Sequence, residues 1–213
     1  MLRRNNSLRN FRMIRIGILS LQGDVSEHVS MMTDAMRNME IRGNIIEVKD
    51  RKWIKNLDAL VIPGGESTTI SKLISMYGLD GEIKNLAKKG IPILGTCAGL
   101  ILLANEGDKD IERTKQPLLR LMDMKVKRNA FGRQRESFET DLEIPILGNE
   151  KYHAVFIRAP AIEKIGKGVR VLAKYDNRIV AAQQDNLLAL AFHPELGNDT
   201  RLHEYFLRLI KNL

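Results

Sequence analysis

Cysteine is nearly absent from this chain of 213 residues: Cys97 is the only one. That excludes an internal disulfide and suits a reducing, cytoplasmic setting. No apolar run is long enough to span a bilayer, so no membrane is expected as a partner. Internal repeats and low-complexity tracts are also missing, which leaves out a repeat architecture. The phosphate loop Gly-x-x-x-x-Gly-Lys-Ser/Thr does not occur, and no Gly-x-Gly-x-x-Gly follows the first apolar run. No run of basic residues is interleaved with aromatics, which argues against nucleic acid as a partner. Neither a cofactor nor a metal is expected.

What is present describes an ordinary globular chain. Its hydrophobic share is 44% and its charged share 28%, enough for one domain with a substantial core. The formal net charge is +8, and half of that lies in residues 1–12, MLRRNNSLRNFR, which hold four arginines and no acid. Such an arm could touch an acidic partner or nucleic acid. The plainer reading, and the one adopted, is a disordered leader or a start placed ahead of Met13; the stretch lacks the apolar run of a secretory signal. The expected organisation is this leader over 1–12 and a single domain over 13–213.

Along the first half, strands alternate with helices. Residues 13–20, 44–49, 57–62 and 91–95 read as strands, and 26–41, 68–77, 81–89 and 98–105 as helices. In the second half, 123–128, 137–142, 152–158, 169–174, 179–184 and 187–193 read as shorter strands between Gly, Asn and Pro turns. Residues 199–213 form a closing amphipathic helix with Leu202, Phe206, Leu209 and Ile210 on its apolar side and His203 in solvent. The expected fold is α/β: a three-layer sandwich with a mostly parallel central sheet and an antiparallel extension in the second half.

Cys97 stands where a strand ends and a helix begins, in Gly95-Thr-Cys-Ala-Gly99. This is the thiol form of a nucleophile elbow, in which the side chain is held on a sharp turn at the carboxyl edge of the sheet. The glycines remove Cβ atoms that would clash there. The amino end of the following helix favours a thiolate, and the Ala98 amide is placed to donate to an oxyanion. A buried structural cysteine is the plainer reading of this stretch alone.

A thiol nucleophile needs a base. Among His28, His153, His193 and His203, only His193 ends a strand and is followed by Pro194 and Glu195. On an extended chain, residues two apart share a face, so Glu195 can orient the His193 ring. The third feature is Pro-Gly-Gly-Glu-Ser-Thr, residues 63–68. Its glycines let backbone approach a ligand, and Ser67 or Thr68 would cap the next helix.

Taken together, these residues resemble class I glutamine amidotransferases, of flavodoxin-like fold. The blocks LSLQGDVSEH, IPGGESTTISKLI, GTCAGLILLA, KRNAFGRQRESFE, VFIRAPAI, RIVAAQQ and FHPEL, in that order from residue 19 to 196, are similar to those of the glutaminase subunits of pyridoxal 5′-phosphate synthase. Ala130 stands where that family's pattern has Ser, and residues 105–117 match no block. The resemblance implies hydrolysis of L-glutamine to glutamate and ammonia through a cysteine thioester. The ammonia would be channelled to a separate (β/α)8-barrel synthase subunit in a heteromeric complex. It implies Cys97 as nucleophile, His193 as general base and acid, and Glu195 as the orienting carboxylate. Gly65, Glu66, Ser67, Arg128, Ile157 and Arg158 fall on glutamine-contacting positions, with the Gly65 and Ala98 amides as oxyanion donors. Gln22 falls where the synthase would dock. Two other readings remain: the glutaminase subunit of another amidotransferase, such as imidazole glycerol phosphate synthase, or a non-catalytic regulatory subunit of the same fold.

Overall fold

The computed structural model describes residues 13–132, 137–211 and 213. The leader 1–12 and residues 133–136 of the KRNAFGRQRESFE block lie outside the described residues.

In the first half the elements are β1 (Ile14–Leu19), α1 (Val25–Asn38), β2 (Gly43–Val48), β3 (Ala59–Ile62), α2 (Ser67–Met76), α3 (Asp80–Lys88), β4 (Ile93–Thr96) and α4 (Ala98–Leu103). Then follow β5 (Ala104–Glu106), α5 (Lys109–Arg113), β6 (Met122–Lys127), β7 (Ser137–Leu142), β8 (Tyr152–Ile157), β9 (Ala161–Ile165), β10 (Arg170–Tyr175), β11 (Arg178–Gln184), β12 (Leu187–Leu190) and α6 (Arg201–Leu207). Short 3-10 turns occupy Pro145–Leu147 and Pro194–Leu196.

The main sheet runs β2-β1-β3-β4-β12-β11-β9-β6-β5, with β10 on β11. From β2 to β12 every pairing is parallel. Beyond β12 the sheet turns antiparallel through β11 and β9, the extension expected of the second half. A separate antiparallel pair joins β7 and β8. Every residue of β3, β4 and β12 is buried. Strands without an exposed face must be covered on both sides, and α1 packing on α6 and α2 on α4 contribute those covers. β2 at the edge is the partly polar one.

Parallel strands end together. The carboxyl ends of β1, β3, β4 and β12 therefore deliver Gln22, Gly65, Cys97 and His193 to one edge of the sheet, where open α/β sheets place their ligands.

Three expectations change. The closing helix spans only Arg201–Leu207. Asp199 cannot join it, because its carboxylate accepts from the Arg201 amide at 3.0 Å, and Leu209 and Ile210 bond back three residues, tightening the chain into turns. His203 is fully buried rather than solvated, since α6 turns 202, 203, 206 and 207 inward and sets His203 5.9 Å from the His28 ring on α1. The last strand ends at Leu190 rather than at His193: Ala191 still donates to Val180 of β11, but His193 turns away from the ladder and donates to Val155 of β8. β9 was not expected at all: Pro160 and Gly166 bracket it closely enough to read as turn.

Candidate active site

Cys97 has φ +46° and ψ −99°, a conformation that costs on the order of 1–3 kcal/mol for a residue with a Cβ. The neighbouring contacts impose it. The Cys97 amide donates to the Leu190 carbonyl at 2.8 Å, continuing the β4–β12 ladder one residue past the strand. A Cβ on Gly95 would lie 2.6 Å from the Gly99 carbonyl carbon, and one on Gly99 would lie 2.1 Å from the Ile62 carbonyl oxygen. Both glycines are thus required for α4 to fold back over β4 and β3. The thiol is 9% exposed and rests 3.9 Å from the Ile157 carbonyl, at the floor of a cavity of about 400 Å³. That volume suits one amino-acid-sized ligand.

His193 lies beside it. The sequence argument placed His193 and Glu195 on one face of an extended strand. The structure joins them instead through the 3-10 turn Pro194–Leu196, which folds the carboxylate back under the ring. Glu195 Oε1 lies 2.7 Å from Nδ1, and Asp24 Oδ2 approaches the same nitrogen at 3.3 Å. With Nδ1 engaged by two carboxylates, Nε2 is the nitrogen left for the thiol, and no hydrogen bond among the described residues claims it.

Electrostatics divides the two carboxylates. Burial pulls the His193 imidazole down, but the Asp24, Cys97 and Glu195 side chains around it outweigh burial and push it up to about 12. Glu195 lies closer to the ring than Asp24 and is shielded from water. The two acids also differ in their own state. The hydrogen bond to His193 holds Asp24 below the usual carboxylate range, so it keeps its charge. Burial raises Glu195, against the pull of His193. We therefore assign charge mainly to Asp24 and orientation mainly to Glu195, since the shorter, drier bond is the one that water does not screen.

The Gly64–Ser67 loop forms the opposite wall. A Cβ on Gly64 would lie 2.5 Å from His193 Cε1, and Gly65 has φ +136°, a region that favours glycine. Gln22 Oε1 accepts from the Glu66 amide at 2.8 Å, so the exposed Gln22 side chain holds this loop in place. The cap of α2 is Glu66 rather than Ser67 or Thr68: its carboxylate accepts from the Thr68 and Thr69 amides. Burial opposes its ionisation, but the hydrogen bonds from Thr69 and Thr68 win and lower it to about 2. The Ser67 hydroxyl donates to Gln116 Oε1 at 3.2 Å. Gln116 lies in the stretch that matched no block.

Arg128 donates to Glu66 Oε1 and to Thr68 Oγ1, the latter at 2.9 Å. Ile157 and Arg158 close the far side, Arg158 with φ +43°. Of the residues selected from the sequence, Gln22, Gly65, Glu66, Ser67, Cys97, Ala98, Arg128, Ile157, Arg158 and His193 all line this one cavity, and Glu195 stands behind His193. Asp24 also lines it and was missed. Asp24 occupies the N-cap position of α1 without a side-chain cap bond, and its spacing alone does not mark it as a partner of His193. Among the described residues, Asp24, His193 and Glu195 are the only group of three or more His, Cys, Asp or Glu side chains with ligand atoms within 4.8 Å of one another. Two of these atoms converge on a single ring nitrogen, an arrangement suited to holding a proton.

A model of the SNO glutamine amidotransferase family matches residues 18–212. A protein of Methanococcoides burtonii named pyridoxal 5′-phosphate synthase subunit PdxT is 55% identical over 199 residues, 93% of this chain and all of that protein. One of Archaeoglobus fulgidus with the same name is 53% identical, over 92% of this chain and 98% of its own length. A crystal structure of a glutamine amidotransferase superposes with a TM-score of 0.80 at 44% identity, covering 92% of this chain and 98% of that one.

Proposed function

The chain belongs to the SNO glutamine amidotransferase family, and on that premise we propose that its cavity hydrolyses L-glutamine and passes the ammonia to a synthase subunit that makes pyridoxal 5′-phosphate. The observation that carries this reading is the pairing of a strained, cavity-floor Cys97 with a His193 whose Nδ1 is taken by carboxylates.

The chemistry follows from these atoms. The Cys97 thiolate attacks the carboxamide carbon, forming a C–S bond and a tetrahedral oxyanion. The Gly65 and Ala98 amides are the donors assigned to that oxygen. His193 gives its Nε2 proton to the amide nitrogen as the C–N bond breaks, ammonia leaves and a glutamyl thioester remains. Water then attacks the thioester while Nε2 takes its proton, and glutamate departs as the thiolate is restored. The sulfur must leave the Ile157 carbonyl for this, so substrate displaces that contact. Arg128 and Arg158 face the substrate's charged end, with Arg128 held in line by Glu66 and Thr68.

Gln22 is exposed beside the cavity and bonded to the Glu66 amide, which supports its assignment as a docking point for the (β/α)8-barrel synthase. A partner that takes hold of Gln22 also takes hold of the glutamine loop. The relatives named as pyridoxal 5′-phosphate synthase subunits favour this partner over imidazole glycerol phosphate synthase. A lone thiol suits a cytoplasmic enzyme. None of the described helices is long and apolar enough to cross a membrane.

The test is isotope transfer. With glutamine labelled at the amide nitrogen, and with the synthase subunit and its sugar phosphates, the label should enter pyridoxal 5′-phosphate. Released labelled ammonia with an unlabelled product would overturn the assignment of the partner.

A further inference from the structure

We propose that His28 is a positioning residue for the reaction, its Nε2 tying Thr96, the residue before the nucleophile, to Glu195, the residue that orients the base. The proposal rests on the glutaminase reading of the site.

The geometry is specific. His28 Nε2 lies 3.1 Å from Thr96 Oγ1 and 3.3 Å from Glu195 Oε2. His28 and Thr96 are wholly buried, and Glu195 is almost so. That carboxylate oxygen has no hydrogen-bond partner among the described residues, so the His28 ring nitrogen at 3.3 Å is the polar group that faces it, as a close electrostatic contact. A buried carboxylate oxygen 3.3 Å from a ring nitrogen selects the tautomer that carries a proton there, because a lone pair facing it would repel. Burial keeps the His28 ring well below its ordinary range, and His203 and His193 push it further the same way, so it stays neutral. His28 thus offers Glu195 an N–H dipole without adding a second cation next to His193.

The position in the fold explains why such a group is needed. Glu195 sits on a three-residue 3-10 turn, and only its Oε1 touches His193. A carboxylate held by one oxygen can rotate away; one whose second oxygen faces a fixed N–H cannot. Thr96 is the last residue of β4 and pairs in register with Leu190 of β12. Through His28, α1 therefore reaches the ends of both strands that carry the reacting pair. Asp24, at the N-cap of α1 and four residues before His28, reaches His193 itself. The titratable groups facing His28 are Glu195 from the 3-10 turn, His193 beyond it and His203 from α6.

The test uses the full chain and two readouts, one of which does not involve glutamine. In His28→Leu, loss of the ring takes away the polar group that faces Glu195 Oε2 and the one that bonds Thr96. The imidazolium is then less well supported, and the acid limb of Cys97 alkylation by iodoacetamide should move to higher pH. With the synthase subunit present, kcat for glutamine should fall about tenfold, while KM changes less than about twofold, because the ring touches the catalytic carboxylate and not the substrate. His28→Gln, whose amide nitrogen can reach the place of Nε2, should recover most of the rate. If His28→Leu does not fold, His28→Asn, too short to reach, takes its place. A folded variant with an unchanged alkylation profile and unchanged kcat would overturn the proposal. So would a rate loss that His28→Gln shares in full. If wild-type chain alkylates with a His28-dependent profile yet turns over no glutamine, the glutaminase reading fails and the positioning role stands.

Discussion

The Cys97 amide donates to the Leu190 carbonyl at 2.8 Å, and this one bond sets the distance between nucleophile and base. Leu190 ends β12, three residues before His193, and Cys97 follows β4 directly. Because β4 and β12 are parallel neighbours, the register of two apolar strands places the two reacting side chains side by side.

Gly99→Ala should break this arrangement from behind. The new Cβ would meet the Ile62 carbonyl oxygen at 2.1 Å, and backbone cannot step aside as a side chain can. We expect a loss of about 1–3 kcal/mol, as for overpacking, with α4 displaced and glutaminase activity lost. Urea titration of the variant checks the stability, and wild-type stability would show that α4 is not held by this approach.

Asp24→Asn and Glu195→Gln should fail differently. Asp24 supplies much of the charge that raises His193, so its loss lowers the imidazolium's hold on its proton. The alkaline limb of kcat/KM then moves to lower pH, while kcat at the optimum stays within about tenfold of wild type. Glu195 fixes the ring, so its loss should lower kcat at every pH by about 100-fold or more, as when an orienting carboxylate is removed from such a triad. Identical pH profiles for the two variants would contradict the division of labour.

His203 provides a stability signature. Burial lowers it from 6.5 to about 4, so the folded state resists protonation that the unfolded chain accepts. Its contribution is therefore fully present above pH 6.5 and is lost as pH falls from there toward 4, amounting to on the order of 3 kcal/mol. His203→Leu should flatten the fall in unfolding free energy between pH 6.5 and 4, and its ring nitrogens, which have no hydrogen-bond partner among the described residues, would not be missed. An unchanged slope would mean that another group titrates there.

The elbow was legible because glycine on both sides of a cysteine has a steric meaning that does not depend on distant residues. The alternation of strand and helix before residue 105 was legible for a similar reason: periodicity is local. His193 and Glu195 were chosen correctly as neighbours, but the geometry joining them is a 3-10 turn, and Pro194 suits either. Asp24, His28 and His203 were not legible as a group. Their importance arises where α1 packs on α6 and on the turn after β12, and no spacing within the chain reports that contact. Glu66 as helix cap was hidden because Ser67 and Thr68 are the stronger capping types, and Arg128, 62 residues away, helps hold the acid in place.

The measurement that tests the central claim most directly is glutamate release from L-glutamine by this chain, alone and with the synthase subunit of the same organism, with Cys97→Ala as the blank. The account predicts turnover that vanishes in Cys97→Ala and rises when the synthase is added. Glutamate release that persists without the Cys97 thiol, or no release by the wild-type chain in either state, would contradict it.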